Sequence, residues 1–428
     1  MSKIKLFGNT SAAHVAAREP RKPNRPRRHG RGRRALIAVS VVLAALAALY
    51  CLFAFSDIPF IAKWRTIYIQ TAMDTMNHQW LATAFLPQSV IDEAMAARNG
   101  AMQEQTQHNS SDDWADRPDA TPAPSGDNGT SENDGLSEDG FYELFWELDR
   151  GSMEDYLSEH PEALEDGWEN LYINEAGLDD DGTSIRTAMG EQVLAIDVPN
   201  QILLVRVSGT GYRGVLAVAK DSSRLSVQNS AYLGDTGQTA GQIAEANGGV
   251  LAMTGSAFID DGGVSNGGTL NGYAMSDCVG QGDHLGWSYK RIELREDNYF
   301  YIVDASSPVD PDTTDAVEFT PAIIVDGVRL NTWGWDSLNP RAVIGQSDKG
   351  EILMLVIEGR LLDSLGISVN ECGVILARHN CMQAMNLDGG TSAILWYDGE
   401  YVTRCSNTAL PEGRTLPNAF VYKGGRSK

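Results

Sequence analysis

Asp388 precedes two glycines and two hydroxyl side chains, Gly389, Gly390, Thr391 and Ser392, and follows Asn386, with apolar runs on both sides. Glycine lets a chain bend sharply and lets a ligand approach the main chain, so Asp388 is a short carboxylate held at a tight turn. The same pattern also suits a plain turn in which the Asp caps its own backbone. Arg341 stands alone among apolar neighbours, just after Asn339 and Pro340. A buried arginine needs an acid or an anionic ligand, and its planar fork matches phosphate; a structural salt bridge meets the same need. Glu358 and Arg360 close a third apolar run, from Ile352 to Ile357. The strands point Thr254, Arg341, Glu358 and Asp388 into loops that could meet.

A fourth polar region is the Gly-rich loop from Thr254 to Thr269, which contains Gly255, Asp260, Asn266 and Gly267. Long Gly-rich loops inside folded domains are usually functional, although a flexible hairpin tip has the same composition. An all-oxygen set such as Asp388 with Asp260 would suit a divalent cation, Ca²⁺ in particular.

The elements that must position these residues are mostly strands. Residues 201–207, 214–219 and 250–253 are β-type runs, 320–329 read as a hairpin, 338–346 as an Asn-Pro turn feeding a strand, and 351–360 as a strand ending in a charged turn. A hairpin should turn at Asp326-Gly327. Short helices are expected at 239–248, closing on Asn-Gly, and from Ser368 to His379. The composition predicts an α+β domain of mixed or antiparallel sheets with few helices. Cys372 and Cys381 sit nine residues apart across that second helix and its end, about 13.5 Å in rise, too far to bridge. No disulfide pairing is assigned.

Upstream, the chain divides by composition. Residues 1–34 carry eleven Lys/Arg and one acid, Glu19, so the remainder has 23 basic and 56 acidic residues and a balance of −33. That acidity argues against nucleic acid as the partner of the main body. Ala35–Phe55 has no charge, is long enough to cross a bilayer, and exceeds the apolar core of a cleaved signal peptide. With the basic arm held in the cytoplasm, the rest lies outside the cell as a single-pass protein. Residues 56–100 read as a juxtamembrane helical stalk with His78 structural, 101–140 as a disordered acidic linker, and 141–190 as an acidic helical segment whose charges form a solvated face. The body is expected at 191–428.

Five motifs in order carry a resemblance: residues 252–258, Asn266 to Thr269, Asn339 to Gly345, Val356 to Arg360, and Asn386 to Ser392. Over about residues 195–424 the chain resembles the phosphodiester glycosidase family. That is the family of the N-acetylglucosamine-1-phosphodiester α-N-acetylglucosaminidase catalytic domain and of many bacterial exopolysaccharide-biosynthesis relatives. The resemblance implies hydrolysis of a sugar-1-phosphodiester, with Arg341, Glu358 and Asp388 catalytic. It also implies a binding role for Thr254, Gly255, Asn266, Gly267, Thr269, Asn339, Arg360, Asn386, Gly389, Gly390, Thr391 and Ser392. Where the family commonly reads Asn-Gly-Gly, Asn-Pro-Arg-Thr and Ser-Ser-Thr, this chain has Thr254-Gly255-Ser256, Ala342 after Arg341, and Thr391-Ser392-Ala393. Retention of Arg341, Glu358 and Asp388 favours an enzyme; the Thr254 change favours a catalytically weak polysaccharide-binding or assembly module.

Overall fold

Every residue of the strand Ile352–Ile357 is buried. Neighbouring side chains on a strand point to opposite faces, so this strand must be covered on both sides. The computed structural model describes residues 29–75, 79–111, 135–178, 182–260 and 265–425, with only the backbone of 29–32. Ile352–Ile357 is the central strand of a nine-stranded sheet. From one edge to the other its strands are 172–174, 192–197, 202–209, 212–219, 352–357, 341–347, 381–386, 322–325 and 328–329, and every neighbouring pair is antiparallel. One face packs Leu353, Leu355 and Ile357 with the helix Val369–Arg378 and with Phe141 and Phe145. The other packs Ile352, Met354 and Val356 against two five-stranded antiparallel sheets, through residues such as Met253, Ile292, Phe300 and Phe420. The α+β, antiparallel reading holds.

The local signals work as expected. Ser368 caps Val369–Arg378 in a capping box with Glu371, and Thr239 caps Ala240–Ala246 with Gln242. The Asp326-Gly327 turn joins 322–325 to 328–329.

Two compact units are defined, residues 1–56 and 57–428. The first is described from His29 onward as one helix, α1 (His29–Phe55), in which Arg33–Phe55 is long and apolar enough to cross a membrane by length and composition. Most of the basic arm lies outside the described residues.

The second unit corrects the reading of residues 56–190. In place of a stalk, α2 (Pro59–Met73), α3 (Trp80–Thr83) and α4 (Gln88–Gln105) pack into the body. Gln70 is fully buried, donating to the Ala94 carbonyl at 3.2 Å and accepting from the Asp336 amide at 3.0 Å. A polar side chain with both ends satisfied inside is a packing contact, which composition alone does not reveal. His78 lies outside the described residues. The expected disordered linker is likewise structured at both ends. Gln105 donates to the Ala322 and Asn331 carbonyls, and Ser110 exchanges two hydrogen bonds of 2.8 Å with Ile302. A helix begins again at Glu138; residues 112–134 are not described. The body therefore does not start at 191: the strand Tyr172–Asn174 pairs with Gln192–Asp197.

The acidic face of 141–190 is not wholly solvated either. Glu147 is buried and meets Lys220 Nζ at 2.5 Å, and Lys220 also meets Glu351 Oε1 at 2.8 Å. Removing one member of a buried charge cluster leaves the others unpaired. Lys220→Met is thus expected to destabilise the protein by about 3 kcal/mol, measured as a fall in urea midpoint at constant m-value.

Candidate active site

The topology explains why distant residues meet. In an antiparallel sheet the start of one strand lies beside the end of its neighbour. Arg341 pairs with Ile357, and Val343 with Asn386, so the start of 341–347 meets the ends of 352–357 and 381–386. The Leu387 amide then bonds the Ala342 carbonyl at 2.9 Å, and the Gly390 amide bonds the Pro340 carbonyl at 3.2 Å. These bonds hold the Asp388 turn against the residues preceding Arg341. Gly390 has φ of 62°, and a Cβ there would sit 3.2 Å from Arg360 Nη1. The glycine suits both the turn and the close approach of that guanidinium.

At this end of the sheet lies a cleft of about 840 Å³, lined by Asn339, Arg341, Arg360, Asn386 and the whole turn from Leu387 to Ser392. Arg341 is buried. Its Nε donates to the Ile367 carbonyl at 3.1 Å, and its Nη2 to the Ser337 carbonyl and hydroxyl at 2.8 and 2.9 Å. Among the described residues no carboxylate forms an ion pair with it. Burial holds its pKa below the ordinary arginine value. This is a fixed, desolvated cation whose charge an anionic ligand would complete. Arg360 is oriented by Asn339 Oδ1, at 2.9 Å from Nη2, and reaches Thr75 Oγ1 at 3.3 Å. Its pKa is lowered by desolvation and then by the like charge of Arg341. Asp388 has its pKa pushed up to about 6, chiefly by desolvation; the Ser392 hydroxyl and Arg414 oppose the rise, and the nearby Asp260 adds to it. Asn386 donates to the Thr320 carbonyl at 2.9 Å, while its buried Oδ1 has no partner among the described residues, an acceptor left for a ligand hydroxyl or amide.

Other residues proposed from the sequence fall elsewhere. Glu358 does not line the cleft. It is buried, its Oε1 accepts from the Arg404 amide at 2.9 Å, and its Oε2 takes Arg404 Nε and Nη2 at 2.8 and 2.6 Å. A buried carboxylate with one oxygen held by a guanidinium and the other by a backbone amide is structural. Glu358→Gln should therefore lower stability by about 2 kcal/mol and leave kcat/KM essentially unchanged, checked by thermal melts beside kinetics.

The Gly-rich loop also serves packing. Thr254 ends a buried strand, Gly255 lies against Asn418, and Asn266 spans the Asp235 carbonyl and the Gly268 amide. Gly267, at φ of 70°, leaves no room for a Cβ beside the Thr415 carbonyl, and the Thr269 carbonyl accepts from the Ile259 amide. None of these five lines the cleft. From this loop Phe258 and Asp260 reach it. Asp260 is not a free metal ligand: Arg414 pairs with both its oxygens, and the Ser265 amide adds a third bond at 3.0 Å. Among the described residues no group of three His, Cys, Asp or Glu is arranged to hold a metal, and the Asp260–Asp388 donor set does not fit Ca²⁺.

The cleft also contains groups that spacing did not reveal. Arg414 lies over the Phe258 ring. Asp74, Thr75 and Arg98 come from α4 and the end of α2, far away in sequence. Asp74 accepts from the Ser337 hydroxyl at 2.5 Å and pairs with Arg98 at 2.8 Å, so it steadies the serine that holds Arg341. Four arginines against three aspartates line the cleft.

The arginine-rich cleft with one desolvated carboxyl is equipped to receive a negatively charged ligand. Residues 240–423 match the family model of the phosphodiester glycosidases. A 76-residue stretch is 33% identical to the SPbeta prophage-derived uncharacterised protein YomE of Bacillus subtilis (strain 168); it covers 17% of this chain and only 12% of that protein. Among solved structures, the chain is similar to the catalytic domain of zebrafish N-acetylglucosamine-1-phosphodiester alpha-N-acetylglucosaminidase, auto-inhibited by its pro-peptide. That likeness covers 59% of this chain and 88% of the zebrafish one at 14% identity and a TM-score of 0.42. A hypothetical protein from Synechocystis aligns over 55% of this chain and 65% of its own at 13% identity and a TM-score of 0.38.

Proposed function

We propose that this protein is a membrane-anchored extracellular hydrolase that cleaves the bond between sugar C1 and phosphate oxygen in glycosyl phosphodiesters of envelope or exopolysaccharide glycans. The observation that carries the reading is the meeting of Arg341, Arg360 and Asp388 in one cleft, within a segment that matches the phosphodiester glycosidase family.

A phosphomonoester leaves as an anion, so its departure calls for charge neutralisation more than for a proton. Arg341 and Arg360 bracket the phosphodiester oxygens and stabilise the charge that grows as the C1–O bond breaks and its electron pair leaves with phosphate. The sugar lies toward the Asp388 turn, where Asn386 Oδ1 accepts from one of its hydroxyl or amide groups. Ionised Asp388 takes a proton from the water that adds to C1, or attacks C1 itself and is displaced by water in a second step. Either route yields the free sugar and a phosphomonoester. With Glu358 committed to Arg404, a second carboxylate is not required of that position. The contrast at Thr254 no longer favours a binding module, because Thr254 is outside the cleft.

The test is release of reducing sugar from a synthetic sugar-1-phosphodiester by the full chain in detergent micelles. Release that Asp388→Asn abolishes supports the reading. Tight binding of anionic glycans without release by the parent protein would replace it with a carbohydrate-binding role.

A further inference from the structure

The helical hairpin of α2 and α3 adjoins the cleft at Asp74 and Thr75 and leaves large aromatic side chains outside. Its polar Gln70 is fully buried, whereas Phe60, Trp64, Trp80 and Phe85 are 48–71% exposed. The aromatic side chains come in two touching pairs, with ring centroids of Phe60 and Trp64 6.4 Å apart and of Trp80 and Phe85 6.3 Å apart. One turn beyond Trp64, the Tyr68 hydroxyl donates to the carbonyl of Leu81, next to Trp80, at 2.5 Å and ties α2 to α3. Exposed aromatic clusters of this size on a folded unit mark an interaction surface. Its chemistry is that of a bilayer interface: aromatic belts sit at headgroup depth, and the exposed Lys63 beside Trp64 suits anionic headgroups. Sequence continuity selects the same partner, since the apolar helix ends at Phe55 and α2 starts at Pro59.

We infer that the outer face of α2 and α3 docks on the surface of the bilayer and presents the cleft to glycosyl phosphodiesters that are themselves linked to the membrane. Ten residues of helix separate Trp64 from Asp74 in the cleft wall, about 15 Å. The substrate is therefore a sugar 1-phosphate esterified to a long-chain alcohol or to a glycan growing from a lipid. The substrate half of this inference rests on the proposed hydrolysis; the docking half does not.

Two measurements on the full chain, reconstituted in phosphatidylcholine–phosphatidylglycerol vesicles, separate them. Brominated lipids should quench the parent's tryptophan fluorescence more than that of a W64F/W80F variant. Hydrolysis of a sugar 1-phosphate esterified to a polyprenol in the same bilayer should fall at least tenfold in an F60S/W64S/W80S/F85S variant, with the methyl ester of the same sugar phosphate cleaved at the parent rate. Equal quenching in the parent and W64F/W80F overturns the docking, as does a vesicle-bound dimer that needs these aromatics. Equal loss on both substrates overturns the membrane-linked substrate class. If the parent cleaves neither, the proposed hydrolysis fails, while the quenching still decides the docking.

Discussion

Replacing Arg341 by alanine is expected to lower kcat/KM on a glycosyl phosphodiester by about a thousandfold, the loss typical of a desolvated charge aimed at a developing anion. The guanidinium is already held by Ser337 and the Ile367 carbonyl, so it does not have to reorganise when substrate arrives. Among the described residues it forms no ion pair with a carboxylate, so a phosphate entering the cleft has no internal acid to displace. Arg341→Lys keeps the charge and loses the fork, and should recover about tenfold to a hundredfold of the loss. A structural role alone would lower the melting temperature in both variants and would not rank them this way on kcat/KM. Asp74→Asn, which acts on Arg341 through Ser337 and through the loss of a nearby charge, belongs in the same series with a smaller effect.

Asp388→Asn has the largest expected consequence, a loss of about ten-thousandfold, because it removes the proton acceptor or nucleophile outright. The pH dependence follows from the same desolvation. The carboxyl pKa is raised from the ordinary 3.8 to about 6, so the reactive carboxylate is depleted as pH falls through that value. The parent's kcat/KM should therefore have an acid limb near pH 6, absent from the residual activity of the Asn variant. Stability runs the other way. A raised carboxyl pKa means the fold favours the protonated form, so stability is lost as pH rises from about 4 to about 6. Asp388→Asn should consequently melt higher than the parent at pH 7.5 and lose that advantage at pH 4. A gain in stability paired with loss of activity would mark Asp388 as a functional group held at some cost to the fold.

What could be read from the sequence was whatever depends on local pattern. The strand ending at Ile357, the capped helix after Ser368 and the bend after Asp388 are written in adjacent residues. Their antiparallel pairing then brings Arg341 and Asp388 together. Glu358 misled because the end of an apolar strand tells where a side chain starts and not what it meets; its partner, Arg404, is 46 residues further on. The loop from Thr254 misled for a related reason. Glycines that allow a ligand near the backbone equally allow another backbone near it, as Gly267 does against Thr415. Asp74, Thr75 and Arg98 were illegible because they sit on helices that composition assigns to a stalk. The burial of Gln70 and the bonds that residues 337 and 338 donate to Asp74 and Thr71 place that segment in the body.

Hydrolysis of a sugar-1-phosphodiester in H₂¹⁸O, followed by mass spectrometry of both products, shows which bond the enzyme breaks. Cleavage at C1 places the label on the released sugar and leaves the phosphomonoester unlabelled, and that is the result expected from Arg341 and Arg360 holding phosphate as the leaving group while Asp388 serves the sugar carbon. Label in the phosphate would mean attack at phosphorus, and would contradict the assignment of these residues.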